Sequence, residues 1–238
     1  MRILHFSDLH GRAFAAAGAL VARHQPDWIV LSGDMLDEPP WLLAAGRRTH
    51  RQFRVWERSR ERFLLEGSCT TYVRGNHEQA GFQDLDLQAA RPAGLAQQVG
   101  ILEGIPAEFG PWGFPRELSP EALAEELEAQ GPRRLWISHV PPYGLLDRTH
   151  QGLRVGHRPL AQALALAEPP ELVLCGHVHE GFGTLRAGGT LVVNAAGGYA
   201  LLEWEPATGR TELLAQEILV PYGRWRGFLA NLGGGGFR

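Results

Sequence analysis

The chain has 238 residues, 44% hydrophobic and 21% charged, with a formal net charge of −3. That length buries a full core without disulfides, and the composition excludes a disordered chain, a collagen-like one and a strongly basic nucleic-acid coat. All 23 basic residues are Arg, which excludes a Walker-type phosphate loop and Schiff-base chemistry because both need Lys. A GC-rich genome that favours Arg codons accounts for the bias. Two cysteines, Cys69 and Cys175, are too few for a disulfide framework and lack metal-site spacing. Any metal must therefore be held by carboxylates and by some of the ten His.

Arg2 to Ser7 reads as a short buried strand that ends in Ser7-Asp8-Leu9-His10-Gly11. The Ala-rich stretch from Arg12 to His24 has helical composition and stops before Pro26. Trp28 to Leu31 is a second strand, ending in Ser32-Gly33-Asp34. Trp41 to Glu66 reads as a helical insertion with seven Arg against Glu57 and Glu61 between residues 47 and 62. Its basic face is expected to be solvated, with Phe53, Trp56, Phe63 and Leu64 turned inward. Thr70 to Val73 is a strand ending in Arg74-Gly75-Asn76-His77-Glu78. Ser119-Pro120-Glu121 opens a helix to about Gln130, with Ser as the N-cap and Pro at the first helical position. Leu135 to Ile137 ends in Ser138-His139, and Leu172 to Leu174 ends in Cys175-Gly176-His177-Val178-His179. Pro159 to Glu168 is a helix between them, and Thr190 to Val220 is a β-rich edge. Residues 1–221 form one domain, followed by a tail, 222–238, that carries Trp225 and Phe228.

Short strands alternating with helices suggest an α/β fold with mostly parallel central strands. Ligands in such sheets bind beyond the carboxyl ends of the strands. Five strand ends here carry Asp, Asn or His. Each motif alone is commonplace, since Gly33-Asp34 and Gly75-Asn76 are also turn sequences and His139 alone reads as a strand-end histidine. On a strand, residues two apart point to one side, so Asp8 and His10, or His177 and His179, can reach the same place. Together, two Asp, one Asn and four His offer the mixed nitrogen and oxygen donors that suit Mn, Fe or Zn. Seven donors suit two ions sharing a carboxylate, and a pair of ions ~3.5–4 Å apart can clamp a phosphoryl centre. No apolar stretch reaches the ~20 residues of a membrane span, and Met1 to Ser7 is no secretory signal, so the cytoplasm is the expected location.

Asp8-x-His10, Gly33-Asp34-x-x-Asp37, Gly75-Asn76-His77-Glu78, His139 and Gly176-His177-x-His179 resemble, in order, the five motifs of the calcineurin-like metallophosphoesterase superfamily. Ser138-His139-Val140-Pro141-Pro142-Tyr143-Gly144, Gly156, Gly181 and Val193-Asn194-Ala195 extend the likeness to its small bacterial phosphoesterases and metallophosphodiesterase-domain proteins. The resemblance implies a four-layer α/β/β/α sandwich of two mixed sheets with a dinuclear site at one edge. By position, it implies Asp8, His10 and His179 at one ion, Asn76, His139 and His177 at the other, and Asp34 bridging. The ions would be Mn²⁺ or Fe, with Zn²⁺, Ni²⁺ and Co²⁺ as alternatives. Hydroxide generated at that centre would attack phosphorus in line, without a covalent enzyme intermediate. His77 would face substrate and protonate the leaving group, with Asp37 or Glu78 orienting it or supporting the ligands.

Arg74 matches the Arg with which Ser/Thr protein phosphatases grip phosphate, but Asp37 is followed by Glu38-Pro39-Pro40 where those enzymes have Arg-Gly. Arg74 and His157 are candidate substrate contacts. The expected activity is hydrolysis of phosphodiesters of small or nucleotide type. A phosphomonoesterase of the protein-phosphatase type is the alternative, and a non-catalytic binding scaffold of the same fold is a third. The expected partner is the small phosphoester or nucleotide substrate. Nucleic acid is left open but not indicated, no membrane partner is expected, and homo-oligomerisation is left open. His5, His24, His50 and His150 are read as structural.

Overall fold

A computed structural model describes residues 1–37, 45–78, 87, 90–102, 105–106, 117–165 and 168–221. The expected tail with Trp225 and Phe228, the Glu38-Pro39-Pro40 step and the first residues of the helical insertion lie outside the described residues. In chain order the elements are β1 (Arg2–Ser7), α1 (Phe14–His24), β2 (Trp28–Ser32), α2 (Ala45–Ser59) and β3 (Cys69–Val73). Then come β4 (Val99–Leu102), β5 (Ile105–Pro106), β6 (Glu117–Leu118), α3 (Pro120–Gln130), β7 (Leu135–Ser138) and α4 (Arg158–Ala163). The remainder is β8 (Leu172–Cys175), β9 (Gly183–Ala187), β10 (Thr190–Asn194), β11 (Gly198–Glu205) and β12 (Arg210–Ile218).

Two five-stranded sheets carry the fold, ordered β12-β11-β1-β2-β3 and β4-β7-β8-β10-β9. In the first, β1, β2 and β3 run parallel and β11 returns antiparallel to β1. In the second, β4, β7, β8 and β10 run parallel and β9 is antiparallel. Strand alternation assigns the layers. Ile3, Trp28 and Val30 from the first sheet share one buried cluster with Leu135, Ile137, Leu172, Leu174, Leu191 and Val193 from the second. The intervening residues Leu4, Phe6, Ile29 and Leu31 face outward onto Phe14, Ala17 and Val21 of α1 and Trp56 of α2. On the far side Trp136, Val173, Cys175 and Val192 pack with Leu160 of α4 and Leu127 of α3. The result is the four-layer α/β/β/α sandwich.

The helices follow their sequence signals with local corrections. Ser119 caps α3, accepting a hydrogen bond from the Ala122 amide at 3.2 Å, with Pro120 at the first turn. In the arginine-rich insertion Trp56 and Phe63 are buried, stacking near Tyr72, but Phe53 is 37% and Leu64 43% exposed. The expectation that all four turn inward is corrected. Gln52, Trp56 and Ser59 form the buried stripe of α2, and Phe53 stands one residue off it. His5 lies between the sheets, fully buried, with Nε2 2.7 Å from Ser32 Oγ. Burial lowers its pKa to about 3.

Candidate metal centre

The carboxyl ends of β1, β2 and β3 and those of β7 and β8 meet at one edge of the sandwich. As each strand stops, the backbone turns sharply. Asp8, His10, Asp34 and His177 all have left-handed backbones, with φ of 55°, 49°, 49° and 66°. Such conformations are disfavoured for residues with a Cβ, and they concentrate at functional sites. The glycines of the motifs serve close approach. A Cβ on Gly176 would overlap Ser7 Oγ and Asp8 Oδ2, and one on Gly75 would overlap the Asp34 carboxylate.

These turns bring the donors into two overlapping groups. Asp8, His10 and His179 offer ligand atoms within 4.8 Å of one another, as do Asp34, His139 and His177. Asp34 also groups with His10 and His77 within that limit. Asp8 and His10 therefore converge from a turn rather than from one side of a strand. His177 and His179, two apart, go to different groups. Asn76 joins the second group, with Oδ1 3.1 Å from His139 Nε2 and 3.0 Å from His177 Nδ1.

Neighbouring backbone and hydroxyl groups fix the orientation of the donors. Ser7 Oγ donates to Asp8 Oδ2 at 2.5 Å, and the His177 amide donates to the same oxygen at 2.9 Å. The other oxygen, Asp8 Oδ1, is buried without a hydrogen-bond partner among the described residues. It lies 3.6 Å from His179 Nε2. His139 Nδ1 donates to the Ser32 carbonyl at 2.8 Å, which turns Nε2 toward Asp34 Oδ2 at 3.4 Å. Asp34 Oδ1 accepts from the His77 amide at 2.8 Å. Glu78, almost fully buried, accepts from the amides of Asp34, Leu36 and Gly75. It supports the Asp34 turn and the Gly75 turn together.

The electrostatics favour a cation. Burial raises the Asp8 carboxyl, while nearby His139 and His179 oppose that shift. Burial also works against Asp34, but His77 and His139 outweigh it and hold that carboxyl well below the usual range. Burial would depress His139, yet the charge of Asp34 and its hydrogen bond raise this imidazole to about 10. His10 and His177 are lowered by burial, His177 to about 3. The carboxylates thus attract positive charge strongly enough to hold a proton on His139. A divalent ion answers the same demand. The nitrogens of His10 and His179 face each other at 3.4 Å, and those of His177 and His139 at 3.2 Å, close enough for each pair to bind one cation in place of a proton. The residues therefore fit divalent metal on three counts: an orphaned buried oxygen, converging nitrogens and unbalanced negative charge.

The remaining predicted residues are placed as follows. His77 is at the mouth, 22% exposed, with Nε2 3.7 Å from Asp34 Oδ2 and its ring edge-on to His10 at 4.7 Å between centroids. Asp37 turns its half-exposed carboxylate toward Arg12 at 3.9 Å. Arg74 is 6% exposed. His157 is fully buried at the head of α4, its backbone bonded to Pro141 and Tyr143. The expectation that it touches substrate is corrected, because no part of it reaches the surface. Two contributors carried no sequence signal. Gln52 on α2, 2% exposed, donates through its amide to the carbonyls of Asp37 at 3.1 Å and His77 at 2.6 Å. Ser7 is the other, read only as the end of a strand.

The profile of the calcineurin-like phosphoesterases matches residues 1–181. The chain belongs to that family. The donor set of this calcineurin-like phosphoesterase is of the kind that holds divalent metal. The chain is 39% identical over 93 residues to metallophosphoesterase domain-containing protein 1 of Homo sapiens and of Mus musculus. That match covers 37% of this chain and spans only 27% of the length of each of those curated relatives. Among solved structures, a dimetal phosphatase from Danio rerio aligns over 85% of this phosphoesterase and 92% of that chain, with a TM-score of 0.56 and 13% identity. TT1561 of Thermus thermophilus aligns over 89% and 97%, with a TM-score of 0.52 and 19% identity. Both share the fold. Among the described residues no helix is long and apolar enough to cross a membrane.

Proposed function

We propose that the chain hydrolyses phosphodiesters of small or nucleotide type at a pair of metal ions. The observation that carries this reading is Asp34, whose carboxylate lies in one donor group with His10 and His77 and in another with His139 and His177. Asp8, His10 and His179 would hold one ion and Asn76, His139 and His177 the other, with Asp34 between them. Bound divalent ions would supply positive charge to the phosphoryl oxygens and make water acidic enough to attack at neutral pH. The chain's own groups do the rest. Ser7, the His177 amide and the Ser32 carbonyl hold Asp8 and His139 in their working orientations. His77, partly in solvent and partly against Asp34, moves a proton to the departing oxygen and neutralises the charge that develops there. Gln52 and Glu78 fix the loop that carries it.

The diester preference is supported by the absence of Arg-Gly after Asp37, half of the pattern with which protein phosphatases grip a monoester dianion. The test compares a chromogenic diester with the matching monoester in the presence of Mn²⁺, Fe²⁺, Zn²⁺ or Ni²⁺, and counts metal per chain. Diester turnover with two ions per chain is the expected result. A strong monoester preference overturns the substrate assignment, and one ion at full activity overturns the paired centre.

A further inference from the structure

The arginines of α2 remain outside the chemistry described so far. Arg47, Arg51, Arg54 and Arg58 are all exposed, at spacings of four, three and four, so they share one face of the helix. From Arg47 to Arg58 that face runs for about 16 Å. None of the four has a hydrogen bond or ion pair with a described residue, on a chain whose net charge is −3. Arg48 is a separate and stronger case. It is partly buried, its Nε is fully buried without a hydrogen-bond partner, and it stands between the exposed face and the buried face of the helix. One turn further on the same side is Gln52, the residue that holds the backbone carbonyls of Asp37 and His77. The first half of α2 is therefore fastened to the loop beside the metal donors, and the basic face leads away from it.

We infer that α2 is a phosphate-backbone binding helix that guides a single-stranded nucleic acid toward the metal centre, with Arg48 as the guanidinium nearest the reacting phosphate. The assignment rests on the diesterase reading, which makes a chain of phosphodiesters the polyanion whose next charges would fall along the helix. A single strand fits better than a duplex because the innermost donors, Asp8 and His139, are 1% and 0% exposed, and a thin, flexible strand brings a phosphate nearest to them. The uncompensated arginines are then explained: phosphate contacts release counterions, and that release is the main source of sequence-independent affinity. Substrate length becomes a specificity determinant, because a mononucleotide diester reaches the centre without touching the outer arginines.

The test titrates the full chain into a labelled single-stranded DNA in chelator, so that binding is read without turnover. The expected affinity falls about fifty-fold between ~50 and ~200 mM salt, as four neutralised phosphates on a single strand require. Replacing Arg47, Arg51, Arg54 and Arg58 together by Gln should weaken binding by at least about tenfold at low salt and flatten that slope. Replacing them by Lys should restore both, which separates lost charge from a misfolded helix. Arg210→Gln, on β12, should change neither. With Mn²⁺ present, Arg48→Gln should raise KM for the oligonucleotide, and Arg48→Lys should recover part of the loss. No binding by the parent chain, equal binding by the quadruple Gln variant, or tighter binding of duplex DNA or of linear polyphosphate overturns the inference. Parent-chain turnover of a small chromogenic diester separates the two failures. Turnover without DNA binding overturns the helix assignment alone, whereas DNA binding without diester turnover overturns the diesterase reading on which it rests.

Discussion

The two sheets contribute unlike halves to the centre. The first supplies all of its oxygen donors, Asp8, Asp34 and Asn76, along with His10 and the partly buried His77. The second supplies only imidazoles, His139, His177 and His179. Neither half is set by its own sheet. The second sheet's His177 amide fixes Asp8, and the first sheet's Ser32 carbonyl fixes His139. The difference teaches that the negative charge of the site is concentrated in one layer while its geometry belongs to the interface. The site is an assembly product of the sandwich, and substitutions should act according to which half they touch.

Asp34 is where the halves meet, so Asp34→Asn should have the largest effect. It should cost both ions and on the order of a thousandfold or more in activity, the scale for losing a main charge-stabilising group. Metal content per chain checks this, and a variant keeping one site at full occupancy would break the shared-carboxylate reading. Next is His77→Ala, which removes the proton donor at the mouth of the centre. Activity should fall by about 10²–10⁴-fold with both ions retained; loss of metal instead would move His77 among the ligands. Ser7→Ala, one hydrogen bond removed from the acidic half, should weaken metal affinity by about 10–100-fold, the usual scale for a residue that orients a ligand. Titration of the stripped protein with Mn²⁺ reads it, and unchanged affinity would mean that the His177 amide alone suffices to hold Asp8.

The smallest effect concerns the interface itself, through His5. Above pH 6.5 this imidazole is neutral both folded and unfolded and adds no pH dependence. Below 6.5 the unfolded chain takes up a proton that the folded chain refuses until about pH 3. Stability should therefore fall by about 1.4 kcal/mol per pH unit across that window. His5→Leu should flatten this acid slope, as measured by denaturant unfolding at pH 7, 6 and 5. An unaltered slope would show that His5 accepts a proton in place.

Much of this was legible in the sequence because short buried strands and the donors at their ends are local patterns. Trp28 to Leu31 or Leu172 to Leu174 can be read without knowing their neighbours, and the motif order then brings the donors together. What was not legible depends on packing across distance. Nothing about Gln52, in the midst of arginines, says that its amide will reach two backbone carbonyls. Phe53 and Leu64 looked like core because they are apolar, but the stripe of α2 is set by Gln52, Trp56 and Ser59. His157 follows a glycine in a loop, as a substrate contact would. Its burial comes from the pairing of Pro142 with His157, which no local pattern encodes.

The left-handed turns have a consequence for the history and engineering of such a chain. Asp8, His10, Asp34 and His177 each occupy a backbone well that glycine enters at about 1–2 kcal/mol less cost. At these positions the most stable residue and the useful one are different. Selection for heat resistance alone would erode the centre one donor at a time, and the sturdiest descendants would be inert. Activity has to be demanded in the same screen for the fold to keep its chemistry.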